Sequence, residues 1–217
     1  RRQRQMCIRD SANIMISWAD SFNCSNCTGP GILDFSFPVP VRCDAQANTG
    51  APVGCAIPSF TPTLPVTGLS TGNTSAAFVD FILTNNADHW GEYPSGTPLT
   101  RLNNPTQAQA NRDAMCAGFV PNPLVPGDSC DEFPFAATNQ SGNMLGLTAS
   151  QCSVIRPQFN SATSSWQFFY YGTYSTSQRC GIGHVTGSDN SSVGGMYSAF
   201  LQNNRLLDGD PFWIYVS

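Results

Sequence analysis

Asp131 and Glu132 stand side by side in Ser129-Cys-Asp-Glu-Phe-Pro-Phe-Ala-Ala137, between a cysteine and an apolar Phe-Pro-Phe run. The chain carries few charges, 11% of its residues, so two adjacent acids there have two readings. One is a solvated turn leading into a core strand. The other is an acid held on a partly dry floor, where it can move a proton. Neighbouring side chains on a strand point to opposite faces, so these two cannot by themselves form the facing carboxylates of a glycosidase. One of them can face a cleft, as general base or cation ligand, while the other faces a neighbouring strand. Hard divalent ions take oxygen from carboxylates, amide carbonyls and water, and Asn190, at the start of a helix read from the downstream pattern, offers such an amide.

Other chemistries find less support. His89 and His184 are the two histidines, and no Gly-x-Ser-x-Gly elbow accompanies them. His184, in Gly181-Ile-Gly-His-Val-Thr-Gly187, reads as a polar strand-end residue, and His89-Trp90 as a surface feature. Neither a Gly-x-Gly-x-x-Gly run nor a P-loop is present, so nucleotide cofactors have no motif. Cys24-Ser-Asn-Cys27 has CxxC spacing, but no second CxxC or HxxxH follows to complete a zinc site.

All ten basic residues are arginine, and the formal charge is −4. No broad basic surface announces binding by phosphate neutralisation. Four of those arginines fall in residues 1–11, whose composition matches nothing downstream and reads as a non-native or disordered tail. Without it, six arginines face thirteen acids, a net of −7. Nine cysteines are present, Cys7 in that tail. The other eight read as the disulfide framework of a secreted chain. Neighbour pairing gives Cys43–Cys55, Cys116–Cys130 and Cys152–Cys180, with Cys24–Cys27 the least determined pair. No run of 18 apolar residues occurs, so no membrane span is expected, and a secretory leader would be missing from this sequence.

Abundant Gly, Pro, Ser, Thr and Asn predict an α+β fold of short strands in a mixed or antiparallel sheet with few helices, stapled by disulfides. Strands are expected at Ile14–Trp18 and at Ile32–Val41, the second an edge strand because of its prolines. Residues 76–85 fit a helix or a strand equally. A helix is expected from Pro105 to Cys116, capped by Asn104. Strands follow at Phe133–Ala137, Ser153–Phe159 and Gln167–Tyr171, then a polar turn segment. The last elements are a helix over 191–202 capped by Asp189 or Asn190, a turn at Asp208-Gly-Asp-Pro211, and a closing strand at Phe212–Val216.

Asn111-Arg-Asp-Ala-Met-Cys116 and Ser129-Cys-Asp-Glu-Phe-Pro-Phe-Ala-Ala137 resemble the NucA/NucB deoxyribonuclease family. So do Ser188-Asp-Asn-Ser-Ser-Val-Gly-Gly-Met-Tyr-Ser-Ala-Phe200 and Leu207-Asp-Gly-Asp-Pro-Phe-Trp-Ile-Tyr-Val216. The resemblance covers about residues 111–217, leaving 12–110 as a strand- and loop-rich extension. It implies a secreted, non-specific endonuclease with a ββα-metal core, a divalent ion such as Mg²⁺ or Mn²⁺, DNA as substrate and a monomeric state. It also implies Asp131 as general base and metal ligand, Glu132 as supporting acid and Asn190 as metal ligand. Gln140, His184 and Arg156 are carried as substrate contacts, and a cognate inhibitor or immunity protein is a further expected partner. Two departures stand out. Gln140 lies where family members commonly carry an acid, and Phe200 lies where a glutamine is found in the metal-site helix. They keep a second reading open, a disulfide-stapled binding module that has lost catalysis. Asn190-Ser-Ser is also a formal glycosylation sequon, which would conflict with a metal role.

Overall fold

Pro38 and Pro40 remove two backbone donors from the second apolar run, and the sheet that forms accommodates this. The computed structural model describes residues 12–22, 31–44, 54–172 and 174–217. The 1–11 tail, Cys7 and the Cys24–Cys27 pair lie outside them. The chain divides into two compact units, Arg1–Phe60 and Thr61–Ser217. In the first, β1 (Ala12–Phe22), β2 (Gly31–Asp44) and β3 (Gly54–Ala56) form an antiparallel sheet in the order β1-β2-β3. β2 is therefore central, not at an edge as its prolines predicted. β3 pairs it only from Arg42 to Asp44, so among the described residues Pro40 has a partner, Met15, on one side alone, and Pro38 falls in the register shift between β1 and β2. Cys43 lies opposite Cys55 in that register, and the two form the expected disulfide.

The second unit contains β4 (Thr63–Val66), α1 (Thr74–Asn85), β5 (Leu99–Thr100), α2 (Pro105–Met115) and β6 (Asp128–Phe133). After them come β7 (Ser153–Asn160), β8 (Ser165–Tyr171), β9 (Gly181–Thr186), α3 (Gly187–Asn203) and β10 (Pro211–Val216). β4, β10 and β5 make a small sheet in that order, and a four-stranded mixed sheet runs β6-β9-β7-β8. β6 pairs antiparallel with β9, β9 parallel with β7, and β7 antiparallel with β8. The class is α+β, as expected, and β6, β9 and α3 make a ββα unit. Cys116–Cys130 and Cys152–Cys180 are both bonded. No helix of the described residues is long and apolar enough to cross a membrane.

Residues 61–110, expected within an extension, lie in the second compact unit and share its core: Leu64 pairs with Ile214, and Phe78, Leu99, Phe133 and Phe212 belong to one buried cluster. The ambiguous segment is α1, capped by Asn73, whose Oδ1 accepts from Ala76 N at 2.9 Å. Seven of its twelve residues are buried, so its apolar residues leave no one-sided stripe to read. The expected polar turn before Asp189 contains β9, which pairs on both sides. Its glycines disguise it as a loop, yet they let α1 approach: a Cβ on Gly181 would sit 2.5 Å from Ile82 Cδ1, and one on Gly183 2.8 Å from Phe78 Cγ. Finally, the strand expected at 133–137 ends at Phe133, since Pro134 has no N–H to continue the ladder.

Candidate active site

α3 begins earlier than its apolar pattern indicates. Its cap is Thr186, whose Oγ1 accepts from Asp189 N at 3.3 Å, so neither Asp189 nor Asn190 is the cap. Both lie in the first turn with other work to do. Asp189 Oδ2 accepts from Thr74 N at 2.8 Å and from Thr74 Oγ1 at 2.7 Å, joining the starts of α1 and α3. Asn190 Nδ2 donates to Cys130 O at 3.0 Å and to Ser129 Oγ at 3.1 Å. These bonds fasten α3 to β6 beside Asp131. They leave the carbonyl Oδ1 of Asn190 as the end of the amide available to a ligand, and they occupy the nitrogen that glycosylation would require.

Asp131 sits opposite Gly183 in the β6–β9 register and is buried. Ser75 Oγ, from the first turn of α1, donates to Asp131 Oδ2 at 2.5 Å. Burial and the neighbouring Glu132 carboxylate raise the Asp131 carboxyl from 3.8 to about 7, against the opposing pull of Ser75 and Arg112. Glu132 is buried too and is also pushed up by desolvation, with Arg112 the main restraint. Arg112 Nε, on α2, lies 3.4 Å from Glu132 Oε1.

Arg112, Asp131, Glu132, Asn190, Gly194 and Tyr197 line one cleft of about 80 Å³. Strand alternation still directs the two acids to opposite faces, as the sequence indicated. β6 is an edge strand of its sheet, so both carboxylates border a cleft that runs along that edge. Tyr197 closes one side, its hydroxyl donating to Ala137 O at 3.0 Å. Asn111, fully buried on α2, donates to Ala136 O at 2.8 Å and accepts from Gln107 and Asn143. It holds the 133–137 segment against α2.

Two carboxylates and a free amide carbonyl on one small cleft suit a hard divalent cation. A sulfur site does not form. Cys116, Cys130 and Glu132 present atoms within 4.8 Å of one another, but both sulfurs are spent in a disulfide and supply no thiolate.

The three expected substrate contacts stand elsewhere. Gln140 is a loop tie, its Oε1 accepting from Thr100 N at 2.8 Å and its Nε2 donating to Thr100 Oγ1 at 3.1 Å. His184 pairs with Cys130, and Arg156 is the next residue after Ile155, which pairs with Gly183. Alternation therefore puts both on the sheet face opposite Asp131. His184 is a buried strand-interior residue bonded to Asp128, and Arg156 is buried over the Phe169 ring. Phe200 is a core residue packed on Phe212, while Gln202 is exposed and outside the cleft. Sequence reasoning missed Ser75, Arg112 and Tyr197. Arg112 lay within a quoted motif and Tyr197 on the α3 face that includes Asn190 and Val193, whereas nothing local marked Ser75.

Comparison with known proteins adds one positive finding: a family model described as Deoxyribonuclease NucA/NucB matches residues 86–215. No curated protein and no solved structure matches the chain.

Proposed function

The chain belongs to the NucA/NucB deoxyribonuclease family, and from that premise we propose a secreted, divalent-metal-dependent endonuclease that hydrolyses DNA phosphodiester bonds with Asp131 as general base. The observation that carries this reading is a buried carboxylate whose proton affinity lies near neutrality, in the same cleft as an uncommitted amide oxygen. A general base works best when its pKa is close to the working pH. Burial and the Glu132 charge create that condition, and the Ser75 hydroxyl fixes the orientation of Oδ2.

In the proposed reaction Asp131 accepts a proton from a water molecule, which attacks the phosphorus in line with the departing oxygen. Asn190 Oδ1 and the carboxylates at the edge of β6 would hold the cation. A bound Mg²⁺ or Mn²⁺ supplies Lewis-acid polarisation of the phosphoryl group and neutralises charge on the leaving oxygen. Arg112, half-exposed at the mouth of the cleft, offers a planar guanidinium to a phosphate. Local positive charge from metal and arginine allows an acidic chain to work on DNA. The disulfides favour an oxidising compartment outside the cell.

Plasmid nicking by the purified protein, abolished by EDTA and restored by Mg²⁺ or Mn²⁺, tests the reading directly. Full nicking in EDTA would overturn the metal dependence. The burial of Phe200, where the family carries a glutamine, favours the second reading of a binding module without catalysis. Calorimetric binding of Mg²⁺ with no cleavage of plasmid by the same preparation would select it.

A further inference from the structure

The sheet face opposite Asp131 carries a second concavity, of about 230 Å³, which the reaction above does not use. Met115, Phe119 and Val120 line it from α2 and the loop beyond, with Val154, Tyr171 and His184 from the sheet. His184 is its polar centre. Nδ1 of His184 lies 2.7 Å from Asp128 Oδ2, and that oxygen also accepts from Asn122 N at 2.6 Å. An acceptor held this way takes the proton of Nδ1 in a hydrogen bond, so Nε2 is an acceptor when the ring is neutral. No described residue hydrogen-bonds Nε2.

Two rings and the Asp128 bond hold the imidazole in this orientation. Phe119 stacks on it with centroids 4.6 Å apart, and Tyr171 packs against it at 5.1 Å. Tyr171 is itself fixed, its hydroxyl accepting from Asn122 Nδ2 at 2.5 Å and from Arg156 Nε at 3.2 Å. The arrangement is one acceptor, oriented in advance by a buried carboxylate, set within aromatic and aliphatic walls. Ligand pockets commonly combine apolar walls with a few placed polar groups in this way.

We propose that this pocket binds a neutral aromatic ring carrying one N–H or O–H donor, which bonds to His184 Nε2. The volume admits a ring of one or two cycles. No arginine lines the pocket, and the chain is net acidic, so nothing there balances a phosphate. Val120, 76% exposed at the mouth, and Leu124, 70% exposed in the same loop, give the entrance an apolar rim. The same ring chemistry could arrive as a free small molecule or as the indole or phenol side chain of another protein.

Ligand-observed saturation-transfer NMR on the full chain tests this, with indole, toluene, N-acetyl-tryptophanamide and thymidine 5′-monophosphate as probes. Indole should bind saturably and toluene about tenfold more weakly, the expected loss for one hydrogen bond. The nucleotide should not displace indole from this pocket. His184→Phe, which keeps a ring of similar size, should reduce indole to toluene's affinity while plasmid nicking stays unchanged. Val120→Trp, at an exposed position, should fill the pocket and abolish indole binding without endangering the fold. Equal binding of N-acetyl-tryptophanamide would assign the site to a side chain, and binding of indole alone to a free small molecule; either result supports the site. No saturable indole binding, equal affinity for indole and toluene, or unchanged indole affinity in His184→Phe would overturn it.

Discussion

Asp128 and Asp131 lie three residues apart on β6, on opposite faces of the same sheet, and the fold treats them differently. Asp128 Oδ2 receives both an imidazole and a backbone N–H, and its side chain has no exposed surface. Asp131 is equally deep, accepts from the Ser75 hydroxyl and a backbone N–H, and has another acid beside it. Asp128 Oδ1 is buried without a partner, so the number of donors does not separate the two acids. What separates them is the neighbour: an imidazole stands beside Asp128, whereas the Glu132 carboxylate stands beside Asp131 and raises its proton affinity. The contrast separates a carboxylate that organises one face from a carboxylate that can exchange a proton on the other.

The largest expected effect breaks this comparison by exchanging amide for acid. Asp131→Asn should lower plasmid cleavage by at least ~100-fold, the scale of a lost general base, with the far-UV spectrum unchanged. Asp128→Ala should instead act on stability. It leaves the Asn122 N–H and His184 Nδ1 without their acceptor, a loss of roughly 2–5 kcal/mol, read as a lower urea midpoint. Its specific activity per folded molecule should stay within about threefold, since no proton transfer passes through that face. Equal loss of activity in both variants at equal folded fraction would remove the distinction between the faces.

Stability against pH sharpens the same contrast. The Asp131 carboxyl titrates at about 7 in the folded chain and near its ordinary 3.8 when unfolded. Between those values the native state holds a proton that the unfolded state has released, so metal-free stability falls as pH rises from about 4 to about 7. The full difference corresponds to roughly 4 kcal/mol at ~1.36 kcal/mol per pH unit. Asp131→Asn should therefore be more stable than the native chain at pH 8 in EDTA and comparable to it at pH 4, by urea unfolding. A variant destabilised at both pH values would show that the carboxylate serves the fold rather than the reaction.

The sequence disclosed these two faces unequally. Asp131 and Glu132 stood out because acids are scarce and their motif is contiguous, Asn190 because it is an amide at an expected helix start in a segment that resembles the family, and the three disulfides followed from neighbour pairing. α2 was legible through Asn104 and Pro105, which act locally. β9 was not, because its glycines serve Phe78 and Ile82 of a helix about a hundred residues earlier in the chain, and no local pattern records that contact. The same distance hid Ser75, whose hydroxyl reaches the site from α1. α1 itself, buried on several sides, resembled a strand as much as a helix. Gln140 was selected by its place in the family pattern and Arg156 by type, and neither signal records the contacts each makes, Gln140 with Thr100 and Arg156 with Phe169.

Ser75 makes a smaller and more diagnostic prediction. Its hydroxyl donates to the charged form of Asp131 and so opposes the rise in proton affinity. Ser75→Ala removes that support, so the acid limb of the activity profile should move to higher pH, by less than one pH unit for a bond worth ~1 kcal/mol. Activity at pH 6 should fall about three- to fivefold, and activity at pH 9 should recover. A uniform loss across the profile would assign Ser75 to packing of α1 alone.

The smallest effect belongs to Arg112, and it tests whether the cleft edge binds phosphate. Its guanidinium lies 3.4 Å from Glu132, with about half of its side chain exposed, so solvent weakens the pair. If the group holds substrate equally in ground and transition states, Arg112→Gln should raise KM several-fold with kcat little changed. Removing a phosphate contact should also flatten the dependence of KM on salt. Arg112 additionally lowers the proton affinity of both acids, so its loss should shift the acid limb upward as Ser75→Ala does, but with a rise in KM that Ser75→Ala lacks. The two variants thus separate the orientation of the base from the capture of the phosphate. An unchanged KM and salt dependence in Arg112→Gln would leave Arg112 only its electrostatic effect on the carboxylates.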